Sequence, residues 1–155
     1  MNGVTSLRVE HIPALIRIIE AQHAASGLHH LGFSHTKVEF TLCRAIAEPD
    51  LWCEVVLHDD VPRGLMAGHV TSMLFSHERI GIEELLVVEE GTPRRTAYAK
   101  QLVNDFVAWC YDMQVVDIRT GVISNIDNLA LDQFYRICGF KRIGTVYSLR
   151  DPGGK

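Results

Sequence analysis

The residues best suited to chemistry lie in a few short stretches of this 155-residue chain. Asn128 and Tyr135 stand two turns apart in a run that reads as a short helix, so they point to nearly the same side. Leu131, Phe134, Tyr135 and Cys138 fall at i, i+3, i+4 and i+7 and share one face, and Gly139 is placed to end the helix with positive φ. Upstream, Arg94-Arg95-Thr96-Ala97-Tyr98-Ala99 and Lys100 open a longer helix. Two arginines at a helix start oppose its macrodipole, whereas free N–H groups beside small residues suit a bound phosphate. Glu83 and Glu84 are neighbours on a strand, which sends them to opposite faces, so at most one of them faces a given cleft. His69 and His77, near the preceding strand, are of a residue type suited to proton transfer. His29, His30 and His35 cluster in one loop with Phe33, yet adjacent histidines with no cysteine nearby rarely make a closed site, and no metal is expected.

The elements that must hold these residues follow from periodicity. Residues 4–9 read as a strand, and Ile12, Leu15, Ile16, Ile19 and His23 recur at helical spacing with Pro13 in the first turn. After the loop 28–35, Thr36 with Glu39 resembles a capping box opening a second helix that Pro49 stops. Strands are expected over 51–58, 65–75 and 80–88, with 59–64 as a turn and a short link at 76–79 that joins antiparallel neighbours. A helix over 95–112, a strand over 114–120, the helix of Tyr135 and a strand over 140–149 complete the chain. The order β-α-α-β-β-β-α-β-α-β predicts an α+β (mixed α/β) layer fold with a single central, mostly antiparallel sheet flanked by helices.

Composition narrows the rest. The length suits a single domain over 1–150, with 151–155 as a flexible tail. A formal charge of -4 gives no reason to expect nucleic-acid binding, and no apolar run is long enough for a membrane span. Cys43, Cys53, Cys110 and Cys138 are scattered without a Cys-x-x-Cys pair, each within an apolar stretch. They read as small buried hydrophobes in a reducing, cytoplasmic setting.

Asn128, Tyr135 seven residues on and Gly139-Phe140, together with the Arg94–Ala99 stretch and the element order, resemble the GNAT superfamily of N-acetyltransferases along nearly the whole chain. The resemblance implies acetyl-CoA as co-substrate and an N-acetyltransferase working by direct attack of a primary amine. In that family a loop of the form Arg/Gln-x-x-Gly-x-Gly/Ala holds the pyrophosphate; Arg94, Arg95, Thr96, Ala97, Tyr98 and Ala99 stand in its place. Ala97 replaces the usual central glycine, so the loop must stay right-handed there. Leu86, Val87 and Val88 would offer their backbone to the pantetheine arm, Asn128 would contact that arm, and Tyr135 would lie near the sulfur as general acid. Some relatives place an acidic residue where Glu83 and Glu84 lie. Glu84 is favoured as the catalytic one, Glu83 as a substrate contact, with His69 and His77 as alternatives. His29, His30 and Phe33 would shape the acceptor pocket. The expected partners are a small-molecule or protein amine, with a homodimer open. The competing expectations are a catalytically silent domain of the same fold, motivated by Ala97 and by the unsettled identity of the base, and an acyltransferase using a longer acyl chain.

Overall fold

The computed structural model describes residues 1–121 and 128–144. Its elements are β1 (Gly3–Ser6), α1 (Ile12–Ala25), α2 (His35–Ala47), β2 (Leu51–His58), β3 (Val61–Ser72), β4 (Arg79–Val88), α3 (Arg95–Asp112), β5 (Asp117–Arg119) and α4 (Asn128–Ile137). The strands form one sheet in the order β1-β2-β3-β4-β5, antiparallel throughout except for the parallel β4–β5 pair. This is the mixed layer fold that the element order predicts. Half of the strand expected over 140–149 falls outside the described residues, and 140–144 are not strand.

Strand alternation builds two cores, one on each face of the sheet. Val55, Leu57 and Leu65 pack with Leu15, Ile18 and Leu42 beneath α1 and α2. Val56, Met66 and Val70 pack with Leu102, Val103, Phe106, Cys110 and Tyr135 beneath α3 and α4. Buried apolar side chains of this size stabilise by about 1.5–3 kcal/mol each, so both layers are held chiefly by these two cores. Gly68 lets α3 come close, since a Cβ there would lie 2.5 Å from the Phe106 ring and 2.8 Å from the Ile82 carbonyl oxygen.

Several local expectations are corrected. β1 stops at Ser6, because the Arg8 N–H donates to His11 Nδ1 (3.2 Å) and Val9–His11 makes a 3-10 turn into α1. The cap of α2 is Ser34 rather than Thr36: Ser34 is extended and its Oγ accepts the Lys37 N–H at 3.2 Å, which leaves Thr36 inside the first turn. The β2–β3 turn is only Asp59-Asp60, with φ of 52° and 61°, the left-handed pair that a tight hairpin needs. Pro62 and Gly64 therefore belong to β3, where Arg63 is an inserted residue: Pro62 opposes Leu57 and Gly64 opposes Val56. β5 is shorter than 114–120, since Gln114 turns at φ 58° to end α3. Cys43 is exposed, whereas Cys53 and Cys110 are buried and Cys138 half-buried.

Candidate active site

The site begins where the sheet splits. β4 pairs with β5 only through Ile80, Gly81 and Ile82, opposite Asp117, Ile118 and Arg119. Beyond that point no strand borders this edge of β4 among the described residues, and an unpaired strand edge can hydrogen-bond an extended polar ligand. A bulge lies at the same place. Gly68 opposes Glu83 and Ala67 opposes Leu85, so Glu84 is the inserted residue. Bulges bend a strand and re-aim its side chains. Val87 and Val88 are buried and Leu86 is half-buried, so what this stretch can offer a ligand is mainly backbone. The Val88 carbonyl is already taken by Arg95 Nε at 2.8 Å.

Glu83 turns to the face that carries α3 and α4, where Tyr135 meets it. The Tyr135 hydroxyl lies 2.8 Å from both carboxylate oxygens of Glu83, across 52 residues of sequence, and donates to them. Tyr135 is fixed by how α4 ends. Phe140 N–H donates to the Tyr135 carbonyl, Gly139 N–H donates to the Arg136 carbonyl, and Gly139 takes φ 93°. That is a Schellman cap, whose accompanying apolar contact is the Tyr135–Phe140 ring pair at 5.9 Å. The spacing Tyr135, Gly139, Phe140 is thus the sequence trace of a cap that clamps the phenol.

Burial shifts both members of the pair. It raises the Glu83 carboxyl to about 7 against an opposing pull from the Tyr135 hydrogen bond. Tyr135 is pushed above the ordinary phenol range by burial first, and then by the negative charge of Glu83. A carboxyl that half-ionises near neutral pH is suited to general-base work.

Glu84 lies elsewhere. Its side chain is 62% exposed and its Oε1 sits 2.9 Å from His69 Nδ1. It is Glu83, not Glu84, that the structure brings to Tyr135, and His69 is engaged with Glu84. His77 is exposed, in the β3–β4 connection.

At the start of α3, Arg94 is the N-cap residue in the left-handed region (φ 60°), and Gly91 precedes it at φ 78°. Arg95 N–H donates to the Thr92 carbonyl and Tyr98 N–H to that of Arg94. The N–H groups of Thr96 and Ala97 have no acceptor among the described residues, the arrangement that holds anions at helix starts. Ala97 is helical, so the positive φ that alanine resists falls on Arg94 and Gly91 instead. Arg94, Arg95 and Lys100 are exposed around this point. Tyr98 is different: its side chain is in the core and its N–H is used, so neither is available to a ligand. Ala99 packs against the same core.

The other expected residues are further from this pair. His29 Nδ1 lies 2.9 Å from the Ser26 carbonyl and His30 Nδ1 3.1 Å from that of Gly27, so both brace the turn after α1. Phe33 packs between His23 (5.4 Å) and His35 (5.1 Å) at the corner between α1 and α2. Among the described residues no hydrogen bond or ring contact joins these three to Glu83 or Tyr135. Among the described residues no cluster of three His, Cys, Asp or Glu could hold a metal ion, and no helix is long and apolar enough to cross a membrane. Asn128 opens α4, and its side chain lies outside the described residues.

Sequence reasoning missed one further titrating site. Glu54, on β2, is raised to about 7 by burial, then by the charge and hydrogen bond of Asp105 on α3. Its position in an alternating strand beneath an amphipathic helix was the available signal.

No family model and no curated protein matches the chain. Solved structures do. The aminoglycoside N-acetyltransferase AAC(6')-Iy in complex with CoA superposes with a TM-score of 0.77 at 12% identity, covering 98% of this chain and 95% of the other. Glucosamine-6-phosphate N-acetyltransferase from Arabidopsis thaliana gives 0.75 at 13% identity over 97% of this chain and 98% of its own. An acetyltransferase of Trypanosoma brucei gives 0.75 at 12% over 97% and 99%. With the split between β4 and β5, the bulge at Glu84 and the open start of α3, these matches establish that the chain has the fold of the GNAT superfamily of acetyltransferases.

Proposed function

We propose that this protein is an acetyl-CoA-dependent N-acetyltransferase that acetylates a primary amine by direct attack within a ternary complex. The observation that carries this reading is the Tyr135–Glu83 hydrogen bond at the point where β4 and β5 part. A proton donor and a carboxyl near neutrality stand there side by side.

The residues present fit the cofactor. The free N–H groups of Thr96 and Ala97, with Arg94 and Lys100 beside them, suit a pyrophosphate. The open edge of β4 at Leu86 and Val87 suits an amide-bearing arm. When bound, acetyl-CoA supplies the acetyl thioester. An acceptor that arrives as an ammonium loses its first proton to bulk water. Glu83 then takes a proton from the attacking nitrogen, and Tyr135 gives one to the departing sulfur. The hydrogen bond between them returns the Glu83 proton to the phenolate oxygen, so the pair ends as it began. Protonating Glu83 also removes the negative charge that opposes ionisation of Tyr135. Acid–base groups of this kind contribute roughly 100- to 10,000-fold, and positioning supplies much of the remainder.

In this reading Glu83 replaces Glu84 as the base, because Glu84 is exposed and paired with His69. The aminoglycoside acetyltransferase neighbours agree with an amine acceptor in kind. The silent-domain alternative rests on Ala97 and on an unclear base, and the helical conformation of Ala97 supports the enzyme reading on the first count. Calorimetric titration with acetyl-CoA, followed by thiol release with a panel of primary amines, tests the proposal. Saturable binding and amine-dependent thiol release are expected. Absence of binding at millimolar acetyl-CoA contradicts the cofactor assignment, and binding without transfer to any amine favours the silent domain.

A further inference from the structure

On the face of the sheet that carries α1 and α2, the residues next to the split place a histidine and an arginine on either side of an isoleucine. His69 of β3 opposes Ile82 of β4, and Ile82 opposes Arg119 of β5, so the three share that face. Leu65 and Ala67, four and two residues before His69 on the same strand, pack under α1 and α2, which fixes which face it is. The apolar core beneath those helices ends at Ala67 and Leu85. There Glu84, aimed by the bulge, pairs with His69, and the Arg119 side chain is 39% exposed.

Arg119 is held in place rather than free. Its Nε donates to Asp117 Oδ2 at 2.9 Å, and its Nη1 faces Met73 Sδ at 4.0 Å. A guanidinium has five N–H donors. Those left over on the Nη atoms have no oxygen acceptor among the described residues. Arg119 is also the last residue of β5 to pair with β4, and its partner Ile82 immediately precedes Glu83. Adjacent strands are about 4.8 Å apart, so the Arg119 backbone stands one strand away from that of the proposed base, with the two side chains on opposite faces of the sheet.

We infer that Arg119 receives a carboxylate carried by the acceptor amine, which makes the acceptor an amino-acid-like molecule. A pre-oriented guanidinium with an open edge is the side chain that pairs a carboxylate through two parallel hydrogen bonds. Asp117 already balances part of its charge, which suits a monoanion better than a phosphate dianion. Glu84 lies on the β4 side of the same split and on the same face as Arg119, and suits the amine end.

This inference rests on the acetyltransferase reading, and the test separates the two. Initial rates are measured for aliphatic amino acids, for the same amines lacking the carboxylate, for a phosphorylated aminosugar and for a polycationic aminosugar. Each is assayed with the wild type, Arg119→Met and Arg119→Lys. The wild type should favour carboxylated acceptors by at least tenfold in kcat/KM. Arg119→Met should raise their KM by roughly 10- to 100-fold, the loss expected for a charge-assisted pair, with little change in kcat, and should erase the preference. Arg119→Lys, which keeps the charge without the fork, should fall between. Acetyl-CoA titration of each variant checks that the fold and the cofactor site persist. A uniform loss across all acceptors, an unchanged KM in Arg119→Met, or a wild-type preference for phosphorylated or polycationic amines overturns the inference. If no amine is acetylated, the acetyltransferase reading fails, and calorimetry with the amino acid alone still decides for Arg119: binding by the wild type and not by Arg119→Met supports it, and no binding overturns it.

Discussion

Replacing Glu83 by glutamine should stabilise the protein while disabling it, and the stabilisation should depend on pH in a defined direction. The Glu83 carboxyl rises from an ordinary 4.5 to about 7 because burial penalises its charge, partly offset by the Tyr135 hydrogen bond. A raised folded-state value means that the folded protein binds the proton more tightly than the unfolded chain. The contribution is therefore fully present below about pH 4.5 and is lost as pH rises through 7. At 1.36 kcal/mol for each tenfold change in proton affinity, ionising Glu83 costs the fold about 3.4 kcal/mol above pH 7. Glutamine has no charge to bury, and its carbonyl oxygen can still accept from the Tyr135 hydroxyl. Allowing for imperfect replacement of that bond, the gain should be about 1–3 kcal/mol at pH 8, or about 2–4 °C in Tm for each kcal/mol. The assay is thermal unfolding of the wild type and Glu83→Gln at pH 4, 6 and 8, with transfer rates measured in parallel. The difference in Tm should be near zero at pH 4 and grow to pH 8, while kcat falls by roughly 100-fold or more. A variant no more stable than the wild type at pH 8, or a gain that ignores pH, refutes the claim that Glu83 is held as a strained base.

Tyr135→Phe removes the donor that holds the Glu83 carboxyl down, so its titration should move further up and the acid limb of the rate profile should shift to higher pH along with slower turnover. An unmoved limb would mean that the two groups are not coupled. Glu54→Gln should likewise stabilise above pH 7 and not below pH 4, since Glu54 is raised to about 7 by burial and Asp105. Its partial exposure to solvent cuts the expected gain to about 1 kcal/mol, readable by urea unfolding at the two pH values. Gly68→Ala should cost about 1–3 kcal/mol in the same unfolding assay, because its Cβ meets the fully buried Phe106 ring and the Ile82 backbone, neither of which has room to yield.

How much of this could be read from the residues alone depends on how local each cause is. β2 falls on 51–58 and α3 on 95–112 as expected, because strand alternation in one and a long apolar stripe in the other are decided within the segment. Gly139 ends α4 as its type and place suggest. The cap of α2 was misplaced because Ser34 and Thr36 are both competent caps, and only the extended backbone at Ser34 decides between them. The β2–β3 turn was drawn too long because Pro62 and Gly64 signal a turn locally, while the bulge that admits them depends on pairing with β2. The same limit explains the carboxylates. Alternation correctly separates Glu83 from Glu84, but which of them meets Tyr135 depends on register with Gly68 and on a contact spanning 52 residues. For Ala97, the expected right-handed conformation holds, and the left-handed residue is Arg94, a position with no glycine to announce it.

The account stands most directly on the pH dependence of kcat/KM for acetyl transfer, measured with saturating acetyl-CoA and a fixed amine. On a logarithmic plot the wild-type value should rise with a slope near 2 below about pH 7, where both Glu83 and the ammonium must lose a proton, and near 1 above it. Glu83→Gln should keep a slope near 1 throughout. A profile that follows only the acceptor ammonium, near pH 10 for a simple alkylamine, with no break near 7 and the same shape in Glu83→Gln, would contradict it.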